Sequence, residues 1–254
     1  TAMDYIAAGL DPKKVTIFQQ SQVSEHTELA WIFSTITTMP YLMRAHAFKD
    51  AEAKNKDITA GTFNYPMLMA ADILLYDPEI VPVGQDQKQH IEITRDTAMK
   101  FNSTYGEVFK LPEGYIIESV ATVPGVDGRK MSKSYNNTIP LFAERDELEK
   151  AVMGIVTDSG GDIPTNVYEI HKLFRSEDDL KSIYSEHKGK YKALKDILVE
   201  DIDAFIKPMR EKRRELENNP DLVISIINEG SKHAKDIASQ KMAQIRAAVG
   251  VTLD

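Results

Sequence analysis

Hydrophobic and polar positions change rhythm along this chain near residue 142. Upstream, Val15-Thr16-Ile17-Phe18 and Ile80-Val81-Pro82-Val83 read as β-branched strands, with Tyr115-Ile116-Ile117 a weaker third. Between them run helical patterns. Ser24-Glu25 followed by Thr27-Glu28 predicts a capped amphipathic helix through Trp31, and Asp86 with Gln89 three residues on has capping-box spacing. Tyr65 to Tyr76 reads as a nearly all-apolar helix with Pro66 as its first helical residue. Downstream the strand signal all but vanishes. Residues 144–153, 166–175, 190–217 and 221–249 carry helical periodicity, separated by Gly160-Gly161-Asp162-Ile163-Pro164 and by Asn218-Asn219-Pro220. The pattern predicts an α/β chain: a doubly wound, Rossmann-like parallel sheet over 1–142, then an all-α helical domain over 143–254.

Composition narrows this picture only a little. A chain of 254 residues buries one large core or two modest ones, and 42% hydrophobic with 28% charged residues is ordinary for a globular protein. No apolar run approaches the ~18 residues of a membrane span, and Thr1-Ala2-Met3-Asp4-Tyr5 lacks a signal-peptide pattern, so no membrane partner is expected. The absence of cysteine excludes a disulfide framework and thiolate metal sites and suits a reducing cytoplasm, the default location. With a net charge of −8 the whole-molecule field does not attract nucleic acid. Between Lys188 and Arg214, nine basic residues against five acidic ones give a local excess of four, densest at Lys207 to Arg214. Such a run is either a solvated helix face or an RNA-facing patch.

Three constellations carry candidate chemistry. Lys130-Met131-Ser132-Lys133-Ser134 places two ammonium groups and two hydroxyls in a compact turn, either a wet basic loop or a grip for polyphosphate oxygens. Asp72 sits among Met69, Ala71, Ile73, Leu74 and Leu75, so its carboxylate is expected to be buried and to need a donor from the protein or from a ligand. Met69 lies one turn away on the same face. Val83-Gly84-Gln85-Asp86-Gln87 follows a predicted strand at the edge where doubly wound sheets bind ligands. Asp86 there either caps a helix or accepts from ribose hydroxyls.

Lys-Met-Ser-Lys-Ser resembles, letter for letter, the nucleotide loop of class I aminoacyl-tRNA synthetases. Met69 to Tyr76, Val81 to Gln87, Gln89-His90, Glu92, Arg95-Asp96, Phe101-Asn102, Arg129 to Ser134 and Ile245 to Gly250 together resemble the bacterial tryptophanyl-tRNA synthetases in order and spacing across almost the whole chain. The resemblance implies activation of L-tryptophan by ATP with Mg2+, transfer to tRNA(Trp), a homodimer, and no tightly bound cofactor or resident metal. It implies that Asp72 accepts the indole N–H, that Met69 packs on the indole, and that Tyr65 and Gln87 meet the amino and carboxylate end. Gly84, Gln85 and Asp86 match the ribose segment of the ATP site. Lys130, Met131, Ser132, Lys133 and Ser134 match the loop that closes over the triphosphate, with Lys130 and Lys133 its catalytic cations. Residues 143–254 match a tRNA anticodon-binding domain.

One departure stands beside the match. Nothing before Val15 resembles the family's first strand, Gly-rich turn and helix, so the sheet is expected to be partial, the chain amino-terminally truncated, and the fragment inactive alone. Two alternatives stay open. A tyrosyl-tRNA synthetase shares the loop but prefers a different polar arrangement, because a phenol both donates and accepts. A non-catalytic module derived from a synthetase is the other.

Overall fold

The computed structural model describes residues 1–55, 57–116, 123–157 and 162–252, apart from the side chains of His46 and Ala47. In chain order the described elements are α1 (Ala2–Ala7), α2 (Glu25–Ile36), α3 (Met39–Leu42), α4 (His46–Ala53), α5 (Ala60–Leu74), β1 (Ile80–Pro82), α6 (Lys88–Tyr105), β2 (Glu113–Tyr115), α7 (Arg145–Met153), α8 (Thr165–His171), α9 (Glu177–Glu186), α10 (Tyr191–Glu217) and α11 (Pro220–Val249). They form two compact units, one made of Thr1–Asp11 with Thr122–Val223, the other of Pro12–Ala121 with Ile224–Asp254. The units therefore interleave along the chain and do not meet at residue 142. The reason is packing at both ends. Asp4 of α1 is held by Arg213 of α10 at 2.7 Å, and Ala234, Ala238, Met242 and Ile245 of α11 complete the core of the second unit.

That second unit contains the parallel sheet. β1 and β2 pair with Ile80 opposite Glu113, Val81 opposite Gly114 and Pro82 opposite Tyr115. Parallel strands need a long crossover, and α6 supplies it. Val83 N–H donates to Tyr115 O at 3.0 Å and carries the pairing one residue further. The expected strand Val15–Phe18 has no ladder partner among the described residues. Instead its backbone presses on α11, where a Cβ on Gly230 would lie 2.1 Å from the Ile17 carbonyl oxygen. Ile117 of the third expected strand, and Gly160 and Gly161 of the expected interhelical break, lie outside the described residues.

Local signals place several helices differently from the sequence pattern. α5 starts at Ala60, where Thr59 Oγ1 accepts from Thr62 N–H at 3.1 Å, so Pro66 lies inside the helix and not at its start. A proline there removes one intrahelical bond, a cost of about 3 kcal/mol. Burial of Pro66 together with Met67 and Ala70 offsets it. Gln85–Gln87 forms a separate 310 turn and α6 begins at Lys88, so Gln87 and not Asp86 stands at the N-cap position. α9 was not apparent from periodicity, yet Ser176 opens it by accepting from Asp179 N–H at 3.3 Å, with Glu177, Asp178 and Asp179 at the positive end of the helix dipole.

The two cores are distinct. Leu29 and Phe33 of α2 meet Met67, Ala71 and Leu74 of α5, with Phe33, Phe101 and Phe109 edge to face at 4.9 to 6.2 Å. In the first unit Leu198, Ile202 and Ile206 of α10 pack on Leu148 and Val152 of α7 and on Val167 and Ile170 of α8. Buried polar groups, Lys195 and His171 among them, stiffen this unit. Lys195 Nζ donates to Met153 O at 2.9 Å and Ile155 O at 2.7 Å, closing the carboxyl end of α7. His171, fully buried, bonds Asp201 at 2.7 Å and Tyr184 Oη at 3.2 Å, while Arg175 holds the other side of Asp201.

Helix propensity favours alanine over glycine by about 1 kcal/mol, but contact with Ile17 reverses the sign at Gly230. Gly230→Ala is expected to destabilise the protein by about 1–3 kcal/mol in urea unfolding. Burial outweighs the Asp201 carboxylate and pushes the His171 imidazole below its ordinary pKa. The unfolded chain then binds the proton that the folded chain refuses, so stability is lost as pH falls through about 6.5. Thermal melts between pH 7.5 and 5.5 should show this decline, and His171→Gln should flatten it.

Candidate active site

The amino-acid side of the candidate site is built on one face of α5. Tyr65, Met69 and Asp72 recur at helical spacing, with Tyr76 just past the helix end. Asp72 is not the buried, donor-starved carboxylate that its neighbours suggest. Ala71, Leu74 and Leu75 turn fully inward, while the Asp72 side chain emerges 37% exposed on the other face. It also has donors: Gln20 Nε2 at 2.6 Å and His26 Nδ1 at 2.7 Å, both on Oδ1. Oδ2 bonds no described residue.

His26 is almost wholly buried and its orientation is settled by its two neighbours. An ionised carboxylate only accepts, so Nδ1–H donates to Asp72, and Nε2 on the far side of the ring lies 2.8 Å from Tyr76 Oη. Burial, and then the negative charges of Asp72 and Glu25, push the Tyr76 phenol up to about 12, so its proton stays on. Phe18 lies parallel to the His26 ring at 6.0 Å.

A second chain of bonds joins Tyr65 to the glycine segment. Tyr65 Oη lies 2.8 Å from His90 Nε2, His90 Nδ1 lies 2.6 Å from Gln87 Oε1, and Gln87 Nε2 donates to Asp86 Oδ2 at 3.0 Å. Gly84 has an ordinary negative φ, so no left-handed turn requires it there. A Cβ there would press on the exposed Asp86 carboxylate, whose Oδ1 would sit 2.7 Å away and would have to move. Gln85 and Asp86 face solvent.

The lysine loop belongs to the first unit, whereas all residues above belong to the second. Its backbone is pinned by one buried side chain, Asn137. Asn137 Oδ1 accepts from Ser132 N–H at 2.7 Å, its Nδ2 donates to Asp127 Oδ1 at 2.7 Å and Lys130 O at 3.1 Å, and its carbonyl accepts from Val126 N–H at 2.9 Å. Gly125 is required because a Cβ would fall 2.3 Å from Asn137 Nδ2. Met131 N–H donates to Val123 O at 2.8 Å, and Ser132 Oγ lies 2.8 Å from Ser134 Oγ. The Lys133–Tyr135 310 turn ends at Asn136 in the left-handed region, φ 52°. Above this fixed backbone Lys130 and Lys133 are exposed and make no ion pair with any described residue. Two unneutralised cations on a rigid turn suit an anionic ligand.

The basic stretch near Arg214 is spent inside the protein. Arg210 donates to Ala143 O and Asp203, Arg213 to Asp4 and Glu217, Arg214 to Glu144, and Lys212 to Glu215. Lys188 pairs with Asp162 at 2.7 Å, and Lys195 is the buried cap of α7. Among the described residues no group of three or more His, Asp or Glu side chains is placed to hold a metal ion.

Sequence reasoning missed Gln20, His26 and Asn137 and gave His90 no role. A histidine in the first turn of a helix, or an asparagine after a loop motif, becomes informative only when its partners are known.

The family model described as tRNA synthetases class I (W and Y) matches residues 1–229. The chain is 49% identical over 258 residues to the tryptophan–tRNA ligase of Fusobacterium nucleatum, covering 98% of this chain and 79% of that protein. It is 43% identical over 259 residues to that of Rhodopirellula baltica, covering 98% and 81%. The crystal structure of Campylobacter jejuni tryptophanyl-tRNA synthetase complexed with ADP and tryptophan aligns with a TM-score of 0.88 at 43% identity, over 98% of this chain and 81% of that one. A tyrosyl-tRNA synthetase from Aeropyrum pernix aligns at 0.61 with 18% identity, over 94% and 70%, a likeness of fold alone.

Loss of the Asn137 side chain strands Ser132 N–H and frees Lys130 and Lys133 to a protease. Asn137→Ala is expected to make trypsin cut at these lysines about tenfold faster or more, by limited proteolysis read with mass spectrometry, while the urea midpoint of the whole protein moves little.

Proposed function

The chain belongs to the class I tRNA synthetases for tryptophan and tyrosine, and from that membership we propose that it is a tryptophan–tRNA ligase. It activates L-tryptophan with ATP to tryptophanyl-adenylate and pyrophosphate and passes the tryptophanyl group to tRNA(Trp). The observation that carries the choice of amino acid is the double occupation of Asp72 Oδ1 by Gln20 and His26. It leaves Oδ2 as a lone acceptor. An indole N–H only donates and matches it, whereas a phenol oxygen also asks for a donor, and both donors there already point at Oδ1. Met69, one turn earlier on the same helix face, brings sulfur to the aromatic face. Tyr65 and Gln87 take the amino and carboxylate end.

For the chemical step, a tryptophan carboxylate oxygen forms a bond to the α-phosphorus as the bond to pyrophosphate breaks. No covalent enzyme intermediate is needed, so the protein's part is positioning and charge neutralisation. Lys130 and Lys133 supply unpaired positive charge to the pyrophosphate oxygens, on a turn that Asn137 keeps rigid. Gly84, Gln85 and Asp86 take the ribose, and Met131, Ser132 and Ser134 shape the phosphate turn. Mg2+ arrives with the ATP phosphates. We extend the proposal to residues 143–254 as the anticodon-binding part, to a cytoplasmic location, and to a homodimer through the Trp31 to Arg44 surface and the Tyr65 helix, where Trp31 and Met39 are about 70% exposed.

Amino-acid-dependent ATP–pyrophosphate exchange tests the proposal, run on this chain and on a form extended with the family's first strand, turn and helix. Tryptophan and not tyrosine should support exchange in the extended form; preference for tyrosine, or silence, would overturn it. In that form Asp72→Asn is expected to raise the KM for tryptophan about 10- to 100-fold, since a hydrogen bond to a charged group is worth about 1.5–3 kcal/mol. Lys133→Ala should instead lower kcat and leave tryptophan affinity, by calorimetry, nearly unchanged.

A further inference from the structure

We propose that His90 is a positioning residue that turns the Tyr65 hydroxyl into an acceptor for the α-ammonium group of the amino-acid substrate. The inference rests on the amino-acid site proposed above, and it follows from the direction in which each hydrogen bond must run.

The chain of directions starts at Asp86, an ionised carboxylate that accepts only. Its Oδ2 lies 3.0 Å from one end of the Gln87 amide, which therefore must be the NH2 end. An amide can sit either way round, and a carboxylate neighbour removes that freedom. The other end, Oε1, faces His90 Nδ1 at 2.6 Å, so Nδ1 carries the ring proton. In the neutral ring Nε2 then has a lone pair and no proton, and Tyr65 Oη at 2.8 Å must donate to it. Burial raises the Tyr65 phenol above its ordinary pKa and keeps that proton in place. With its only proton committed to His90, the Tyr65 oxygen offers lone pairs alone.

An acceptor-only oxygen on the face that carries Met69 and Asp72 binds an ammonium and repels a carboxylate. The head group of the substrate is thereby oriented. Without His90 the phenol can turn its O–H outward, and the site loses the distinction between the two ends of the amino acid. Of these four residues, His90 is the one that needs no contact with the substrate to have this effect.

Two measurements test it, both on the form extended with the family's first strand, turn and helix. Nitrogen-15 NMR of the imidazoles, with His90 assigned by its disappearance in His90→Gln, is expected to show the Nδ1–H tautomer; the Nε2–H tautomer would overturn the proposal. Calorimetry then compares tryptophan, tryptamine and indole in the parent, His90→Leu and His90→Gln. His90→Leu should weaken tryptophan and tryptamine about 10- to 100-fold and leave indole, which has no ammonium, within about twofold. His90→Gln can donate to Gln87 and accept from Tyr65, and should restore most of the affinity. An equal loss of indole in His90→Leu would mean a collapsed pocket and would sink the proposal. If the parent binds none of the three, the amino-acid site itself is wrong and the role of His90 goes with it; if indole and tryptophan bind but His90→Leu binds both as the parent does, only the role of His90 fails.

Discussion

A carboxylate accepts hydrogen bonds and never donates them while ionised, and Asp72 and Asp86 impose that one-way rule on the polar groups around them. From Asp72 the direction passes to Nδ1 of His26 and then to the Tyr76 hydroxyl, which burial and nearby negative charge keep protonated. From Asp86 it passes through the Gln87 amide and His90 to the Tyr65 hydroxyl. Each chain crosses a histidine, the side chain able to donate at one nitrogen and accept at the other. Flexible polar groups thus acquire fixed polarity before any ligand arrives, which lowers the ordering cost of binding.

The lysine loop divides its labour differently. Its main chain is held by Asn137, Val123 and Gly125, while its two ammonium groups extend into solvent with no carboxylate partner among the described residues. A rigid backbone with loose charges fits a polyphosphate, whose oxygens spread charge over several positions and reward adaptable cations. Asp72 is built the other way, with its Oδ1 held by Gln20 and His26 and its Oδ2 a fixed acceptor in one place.

Much of this was legible in the sequence where the signal was local. The five-residue lysine motif, the parallel crossover through α6 and the helical character beyond residue 142 all follow from short-range pattern. What escaped depended on tertiary packing. Pro66 looked like a helix start because proline favours the first turn, and only the bond from Thr62 to Thr59 shows the helix beginning six residues earlier. Val15–Phe18 has strand composition, yet Ile17 meets a glycine of α11 more than two hundred residues away. Asp72 looked buried because its sequence neighbours are apolar, but helical geometry sends those neighbours inward and the carboxylate out. The compact units do not follow the change of rhythm at residue 142 for a similar reason: local rhythm marks where strands stop, not where the chain returns to an earlier core.

The self-paired basic stretch from Arg210 to Arg214 has a consequence for any polyanion that approaches it. Its guanidinium groups carry tethered counterions, the carboxylates of Asp4, Glu144, Asp203 and Glu217. A phosphate backbone settling there would exchange one fixed anion for another and release few mobile ions to solution. The entropy that ordinarily drives basic surfaces onto nucleic acid would be largely missing, and association at this face would depend only weakly on salt.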